Sequence, residues 1–593
     1  MSALDDIKDD YKHEMQHVEE LGVNELRPVG TTSDVEYPQA LRDMEEAPSL
    51  DTLRAGLSLQ QADMTMPLGQ AFSRDWRMFA CTLPFLIAAM GTGIDGGLSG
   101  ISVSMPKFLI KFGEFNPVTK SLFLPSLWKG LWDSMVALGV AIGAMSSGYL
   151  LDRWGPQKIV IIASILFICP VMIQTFANSR VMMLVGKLLG GIPQGIFNVA
   201  ASNFVSEASN LRMRGPLSAL LPLSAIGGVA LGLTIGYERI AYVTSGMFSH
   251  ITGLSQYVSK AVLTFCSYTD WLSWRLALIM QVVPPIICIA TLPFATTSPI
   301  FLVKKGRMED ARQSLRKLYG TTADIPARLA IIQQAVAIER EEAAKIGASS
   351  YKDLFSTAIA RKRTFASAWL WFTYQANGQV FIASGLYFLI ITGMDITTAF
   401  TISVCFLSLS ALVNIGSGTI INKVGRRNAF LYGNLIYMAV MAILGGLHFA
   451  KGHSGQLAVA VMINIAIAAQ QLGGGAPTYT LLNEISSLRL RAKTQSLAIA
   501  FNFVLNWAWN LVTPYIYQPG AGNANLGAAS AFIFVGTTGL CLVVAFFVIP
   551  ETNGRTVVQM DLLYESKVPI RKFGSTDIAA LERLHAREHN VSL

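Results

Sequence analysis

Twelve apolar blocks run through this sequence between residues 78 and 549. Each is about as long as a helix needs to be to cross a hydrocarbon core ~30 Å thick. Inside lipid a backbone must satisfy its own polar groups, so blocks of this length are read as helices. Their ranges are 78–103, 131–151, 158–177, 180–205, 216–238, 274–295, 363–392, 398–421, 428–450, 455–482, 495–517 and 527–549, with ends uncertain by several residues. The chain therefore reads as an all-α membrane protein. Its composition agrees: 14% of residues are charged, against about 25% in a soluble domain.

The basic residues set the orientation. The chain holds 46 basic and 38 acidic residues; the first 73 hold 5 and 15, leaving 41 and 23, a net +18, on the rest. The excess gathers in "DRWGPQK" after span 2, "LRMRG" after span 4, the long polar segment after span 6, "NKVGRR" after span 8 and "LRLRAK" after span 10. These stretches share one side with both termini, so that side is expected to be cytoplasmic. Lys107, Lys111, Lys120 and Lys129 cluster on the opposite side after span 1. A pI of 9.1 thus needs no nucleic-acid partner.

Five domains follow. Residues 1–73 are expected to be a disordered acidic cytoplasmic tail, too polar to build a core. Residues 74–298 form an N-terminal six-helix half and 363–549 a C-terminal one. Residues 299–362 form a linker, in which "KKGRMEDARQSLRKL" and "IPARLAIIQQAVAIEREEAAK" have the periodicity of amphipathic surface helices. Residues 550–593 form a cytoplasmic tail whose "NVS" at 590–592 should stay unglycosylated. The first apolar run, near Met78, acts as an internal signal-anchor. Of six cysteines only Cys266 falls in an external loop, and no CxxC spacing implies a disulfide framework or a metal site.

The two halves repeat. "GYLLDRWGPQK" (148–158) matches "GTIINKVGRRN" (418–428), and "EASNLRMRG" (207–215) matches "EISSLRLRA" (484–492), at offsets of 270 and 277 residues. Six spans plus six, joined by a polar linker, form the parallel-repeat plan of the major facilitator fold. Each motif places charges at helix ends. One expected cluster is Asp152, Arg153, Glu207, Arg212 and Arg214; the other is Asn422, Arg426, Glu484, Arg489 and Arg491. Such ties suit a cytoplasmic gate that breaks when that side opens. The plainer alternative is that the bases only obey the positive-inside rule.

Over about residues 75–560 the sequence resembles the sugar porters of the major facilitator superfamily, and among them the fungal α-glucoside (maltose-type) permeases. The residues that carry the likeness are "GIDGGLSGISVSMPKF", "DRWGPQK", "GGIPQGIF", "SEASNLRMRG", "SPIFLVKKGRMEDARQSLRKLYG", "QANGQVFIASGLYF", "NKVGRR", "NEISSLRLRAKT" and "PETNGRT". The resemblance implies a plasma-membrane transporter working by alternating access, with a small-molecule substrate bound between the halves near the midplane.

Polar residues inside the spans are candidates for that site. Gln375 and Gln379 are four apart and are expected to share a face of span 7, with Tyr387 farther along. Asn502, Asn506 and Asn510 make a polar stripe on span 11. By resemblance, Gln375 and Asn502 stand where family members bond sugar hydroxyls, and Tyr479 stands where a tryptophan packs on the sugar ring. Amides offer paired donors and acceptors, and aromatic faces cover a ring's C–H side. Helix–helix glue is the competing role for each amide. The family's pattern is broken at three places: Pro222 replaces a span-5 glutamine, Ser410 a span-8 amide, and Thr297 the acid after span 6. The pocket is accordingly less polar than a hexose site, with room for a modified sugar, a glycoside or a non-sugar metabolite.

One acid sits in span 1: Asp95, among Gly91, Gly93, Gly96, Gly97 and Gly100. Its expected partner is Lys187 of span 4. In the family's proton-coupled members an acid at the Asp95 position works with an arginine at the Lys187 position, so the resemblance implies a proton as coupling ion. A static ion pair is the alternative. The glycines are expected to let span 1 pack closely and move. No other cofactor, no metal and no nucleophile–base pair is expected, so the chain is not expected to be an enzyme. The competing functions are a facilitator or exporter of a non-sugar metabolite and, behind it, a non-transporting sugar sensor. A monomer in the lipid bilayer is expected.

Overall fold

The computed structural model describes residues 48–578 and 581, without 103–105, 117–120, 211–212, 242–272, 321–322, 347–349, 386–387, 390–393, 395, 451, 488–489, 518–523, 556 and 567. Residues 40–576 form one compact unit; Met1–Gln39 and Asp577–Leu593 fall outside it, nearly all of them outside the described residues. Cys266, Lys120, the "NVS" sequon and most of the segment after span 5 also lie outside.

All twelve expected spans are helical. They are Trp76–Ser102, Ser126–Trp154, Pro156–Thr175, Arg180–Ala208, Arg214–Ala241, Ser273–Thr291 with a 3-10 turn at Met280–Val282, Ala358–Ala376 continuing as Gln379–Ala383, Ile396–Val424, Arg426–Gly446, His453–Ile485 with a π-turn at Gln471–Gly475, Arg491–Tyr517 and Ser530–Val548. Among the described residues, eight helices are long and apolar enough to cross a membrane. The other four are spans 4, 6, 7 and 11, which carry Lys187, Gln281, Gln375 and the asparagine stripe.

Span 7 does not continue through its two glutamines. Asn377 ends one helix and Gly378, at φ +82°, starts the next. The ring of Phe534 occupies the place a Cβ on Gly378 would need, so glycine is favoured by both conformation and space. Gln375 and Gln379 therefore lie on two helices, not on one continuous face.

Of the glycines around Asp95, Gly93 and Gly97 meet the backbone of span 5 at Ala225 and Val229, whereas Gly91 and Gly96 face open space. Close packing thus rests on one side of span 1. Between spans 1 and 2 lie a short helix, Pro106–Phe112, and a two-stranded antiparallel ribbon pairing Glu114 with Phe123.

The linker forms the helices Pro299–Lys304, Met308–Tyr319 and Ile325–Ile346, as its periodicity predicts. The acidic segment before span 1 departs from expectation. Residues 48–73 are not a solvated tail: Leu50–Thr65, capped by Ser49, and Leu68–Arg74 are helices. Leu53 and Ala71 are buried, and so are the segment's Asp63 and, just after it, Asp75. Asp63 bridges Arg74 (2.8 Å) and Arg328 of the linker (3.2 Å). Asp75 accepts from Asn210 (2.7 Å), whose own oxygen accepts from Tyr319 (2.6 Å). A charge count cannot see that these acids have fixed partners. After span 12, Val557–Glu565 is helical and packs Met560, Leu563, Tyr564 and Phe573 into a small core with Ile359.

Candidate functional site

Span 1 brings Asp95 to span 4, and the expected pair forms. Lys187 Nζ donates to Asp95 Oδ1 at 2.5 Å, with both side chains nearly excluded from solvent. Two amides complete the shell. Gln281 Nε2 donates to Oδ1 at 3.0 Å and Gln194 Nε2 to Oδ2 at 3.3 Å. Neither amide was singled out from sequence. Gln194 lies two helical turns from Lys187, so its presence on the same face was readable. Gln281 comes from the 3-10 turn that interrupts span 6, and its position depends on that break. A buried charge pair is tolerable only when its remaining hydrogen-bonding capacity is used, and the amides meet that need.

The amides of the C-terminal half form a ladder between spans 7 and 11. Gln375 Nε2 donates to Asn502 Oδ1 at 2.8 Å, Asn506 Nδ2 donates to Gln375 Oε1 at 3.3 Å, and Asn510 Nδ2 donates to Asn506 Oδ1 at 2.8 Å. The aromatic candidate Tyr479 stands edge-on to Trp371, ring centroids 5.0 Å apart. Gln379 is half-buried, its Oε1 without a hydrogen-bond partner among the described residues. Tyr387 lies outside the described residues. Pro222 stands inside the span-5 helix, and Ser410 is buried, bonding the Phe406 carbonyl in its own helix.

At the linker side the charges connect both within the C-terminal half, as the expected pair Arg426–Glu484, and across the halves. Lys493 Nζ of span 11 reaches Asp152 Oδ2 of span 2 at 2.7 Å. Arg214, from the first motif copy, faces Glu484 and Arg426 of the second, while Arg491 of the second copy faces Glu207 of the first. Glu207 also accepts from Asn203 at 3.0 Å and from Ser298. Arg426 pairs with Glu484 at 3.3 Å, and Thr552 donates to the same carboxylate at 2.5 Å. Asn483, absent from the expected clusters, is a fully buried hub with bonds to Ser202, Ser218 and Gln495. Arg153 does not join; it turns outward to Tyr149 and Trp154. Arg212, Arg489 and the side chain of Asn422 lie outside the described residues. Thr297 bonds Gln157, and its carbonyl accepts from Ser314 of the linker at 2.7 Å. Beside this network Asp561 pairs with Arg363; burial raises its carboxyl above the usual range against the pull of that guanidinium.

Residues 80–564 match the family model described as "Sugar (and other) transporter". The chain is 31% identical over 496 residues to the MFS transporter fmqE of Aspergillus fumigatus, covering 83% of this chain and 86% of the relative. It is 27% identical over 540 residues to the Alpha-glucosides permease MPH3 of Saccharomyces cerevisiae, covering 90% and 83%. Among solved structures, it is similar in fold to the proton:xylose symporter XylE bound to 6-bromo-6-deoxy-D-glucose, with a TM-score of 0.67 and 18% identity, covering 83% of this chain and 100% of that one.

Proposed function

The chain belongs to the sugar (and other) transporter family of the major facilitator superfamily, and on that premise we propose that it imports a sugar or glycoside across the plasma membrane with a proton as coupling ion. The family is one of transporters, not enzymes, and the chain is a multi-pass membrane protein. The observation that carries the coupling is the buried Asp95–Lys187 pair. A carboxylate in low dielectric keeps its charge only beside a cation or donors. If the Asp95–Lys187 distance widens in one conformer of the N-terminal half, the acid takes a proton; when the pair re-forms, it gives the proton up. Gln375, Gln379, Tyr387, Tyr479, Asn502 and Asn506 are assigned to the solute. Hydroxyls of the solute can exchange with the internal bonds of the amide ladder.

The motif charges act as the gate. Ties that cross from one half to the other hold the linker side shut, and the linker side is taken as cytoplasmic from its basic residues. The working unit is a monomer.

A second reading, a facilitator or exporter of a non-sugar metabolite, is favoured by one observation. Gln375, Asn502 and Asn506 satisfy one another, and Pro222 offers no donor. The two readings separate on uptake of labelled mono- and disaccharides in a transporter-null host, with and without a protonophore. Accumulation of at least one sugar, abolished by the protonophore, supports the first. No uptake of any sugar supports the second.

A further inference from the structure

Gln281 is fully buried and Gln194 is 1% exposed. Each gives its Nε2 to Asp95, and in each the Oε1 is buried without a hydrogen-bond partner among the described residues. A buried acceptor left unpaired is destabilising, and two such atoms around one carboxylate call for a reason. An amide is two-faced: its NH2 donates and its carbonyl accepts, and a half-turn about the last side-chain bond exchanges them in nearly the same space. A carboxylate needs donors. A carboxylic acid needs an acceptor for its O–H, and Lys187 as an ammonium has none to give.

We propose that Gln194 and Gln281 are positioning residues that serve Asp95 in both of its protonation states, Gln194 by turning its amide over. This rests on the reading of Asp95 as the coupling acid. In the charged state Lys187 and Gln281 hold Oδ1, and Gln194 holds Oδ2 by the longer bond. A proton arriving from water bonds to Oδ2. The Gln194 amide rotates, so that the new O–H donates to its Oε1 and the idle acceptor is used. The Nε2–H···Oδ2 bond is exchanged for Oδ2–H···Oε1, and loss of the proton to water reverses the rotation. Gln281 keeps Oδ1 in place throughout. Of the charged groups near this part of the N-terminal half, Lys187 faces Asp95. Arg275 of span 6 donates to the Thr175 carbonyl, and Lys129 of span 2 is paired with Asp133.

The test uses the full chain in liposomes and protons alone as the probe. Infrared difference spectra are recorded between acid and alkaline buffer, and the carbonyl stretch of the protonated acid that vanishes in Asp95→Asn is assigned to Asp95. In Gln194→Met this stretch moves up to the position of an acid with no acceptor; in Gln281→Met it stays. Gln194→Asn, which keeps an amide but falls short of Oδ2, shows the same upward move and serves if the methionine variant does not fold. An Asp95 band at the native position in both Gln194 variants overturns the inference and leaves the coupling reading standing. A native protein with no Asp95 band at any pH overturns the coupling reading and the inference with it.

Discussion

Lys187 Nζ and Asp95 Oδ1 lie 2.5 Å apart between spans 4 and 1, both side chains buried. Removing one member of such a pair leaves an uncompensated charge and costs about 3–5 kcal/mol. Lys187→Met should therefore lower the thermal unfolding midpoint in detergent, and adding Asp95→Asn should restore the larger part of the loss. A double variant no more stable than Lys187→Met alone would mean that the two do not act as a pair.

The tie between Lys493 and Asp152 bridges the halves, but Asp152 is nearly half exposed. Its worth is accordingly below about 1 kcal/mol, enough to change a conformational ratio about fivefold. In a background without native cysteines, Ser496→Cys sits beside Ser147 at this junction. Lys493→Ala should speed its labelling by a membrane-impermeant thiol reagent from the linker side. Unchanged labelling would exclude Lys493 from the gate. Glu207→Gln should impair transport without loss of membrane insertion.

Gln375 stands between Asn502 and Asn506. With neutral hydrogen bonds worth about 0.5–1.5 kcal/mol each, Gln375→Leu should raise KM for the solute about two- to tenfold, measured as the concentration dependence of uptake. An unchanged KM with a lowered unfolding midpoint would make the ladder helix–helix glue.

The segment before span 1 fastens the linker to the N-terminal half. Asp63→Ala leaves Arg74 and Arg328 without their shared partner and should expose residues 50–75 to limited proteolysis; native-like resistance would deny the segment that role. Tyr319, in the same network, has its phenol pushed up to about 12 by burial, from a usual value near 10. The folded chain keeps a proton that the unfolded chain releases, so stability falls as pH rises from about 10 to about 12. Tyr319→Phe should flatten that alkaline loss in unfolding curves.

The spans were legible because apolar length leaves few alternatives, and Asp95 with Lys187 stood out because charges are rare there. The break in span 7 was readable too: "QANGQV" contains Asn-Gly, a turn signal overlooked against four-residue spacing. The wiring of the gate was not. Both motif copies have the same spacing, and whether Arg214 meets Glu207 or Glu484 depends on how the halves face each other. Lys493, two residues past Arg491, carried no sign that Asp152 awaited it. The buried Asp63 looked solvated because composition counts charges without their partners.

The central claim is that Asp95 carries the coupling proton. Once the uptake panel has found a transported solute, a solute jump on proteoliposomes adsorbed to a solid-supported membrane reads charge movement directly. The account predicts a solute-dependent current in the native protein that vanishes in Asp95→Asn, while solute exchange across the same vesicles persists. A current of native size in Asp95→Asn, or solute accumulation in the native protein with no current, would contradict it.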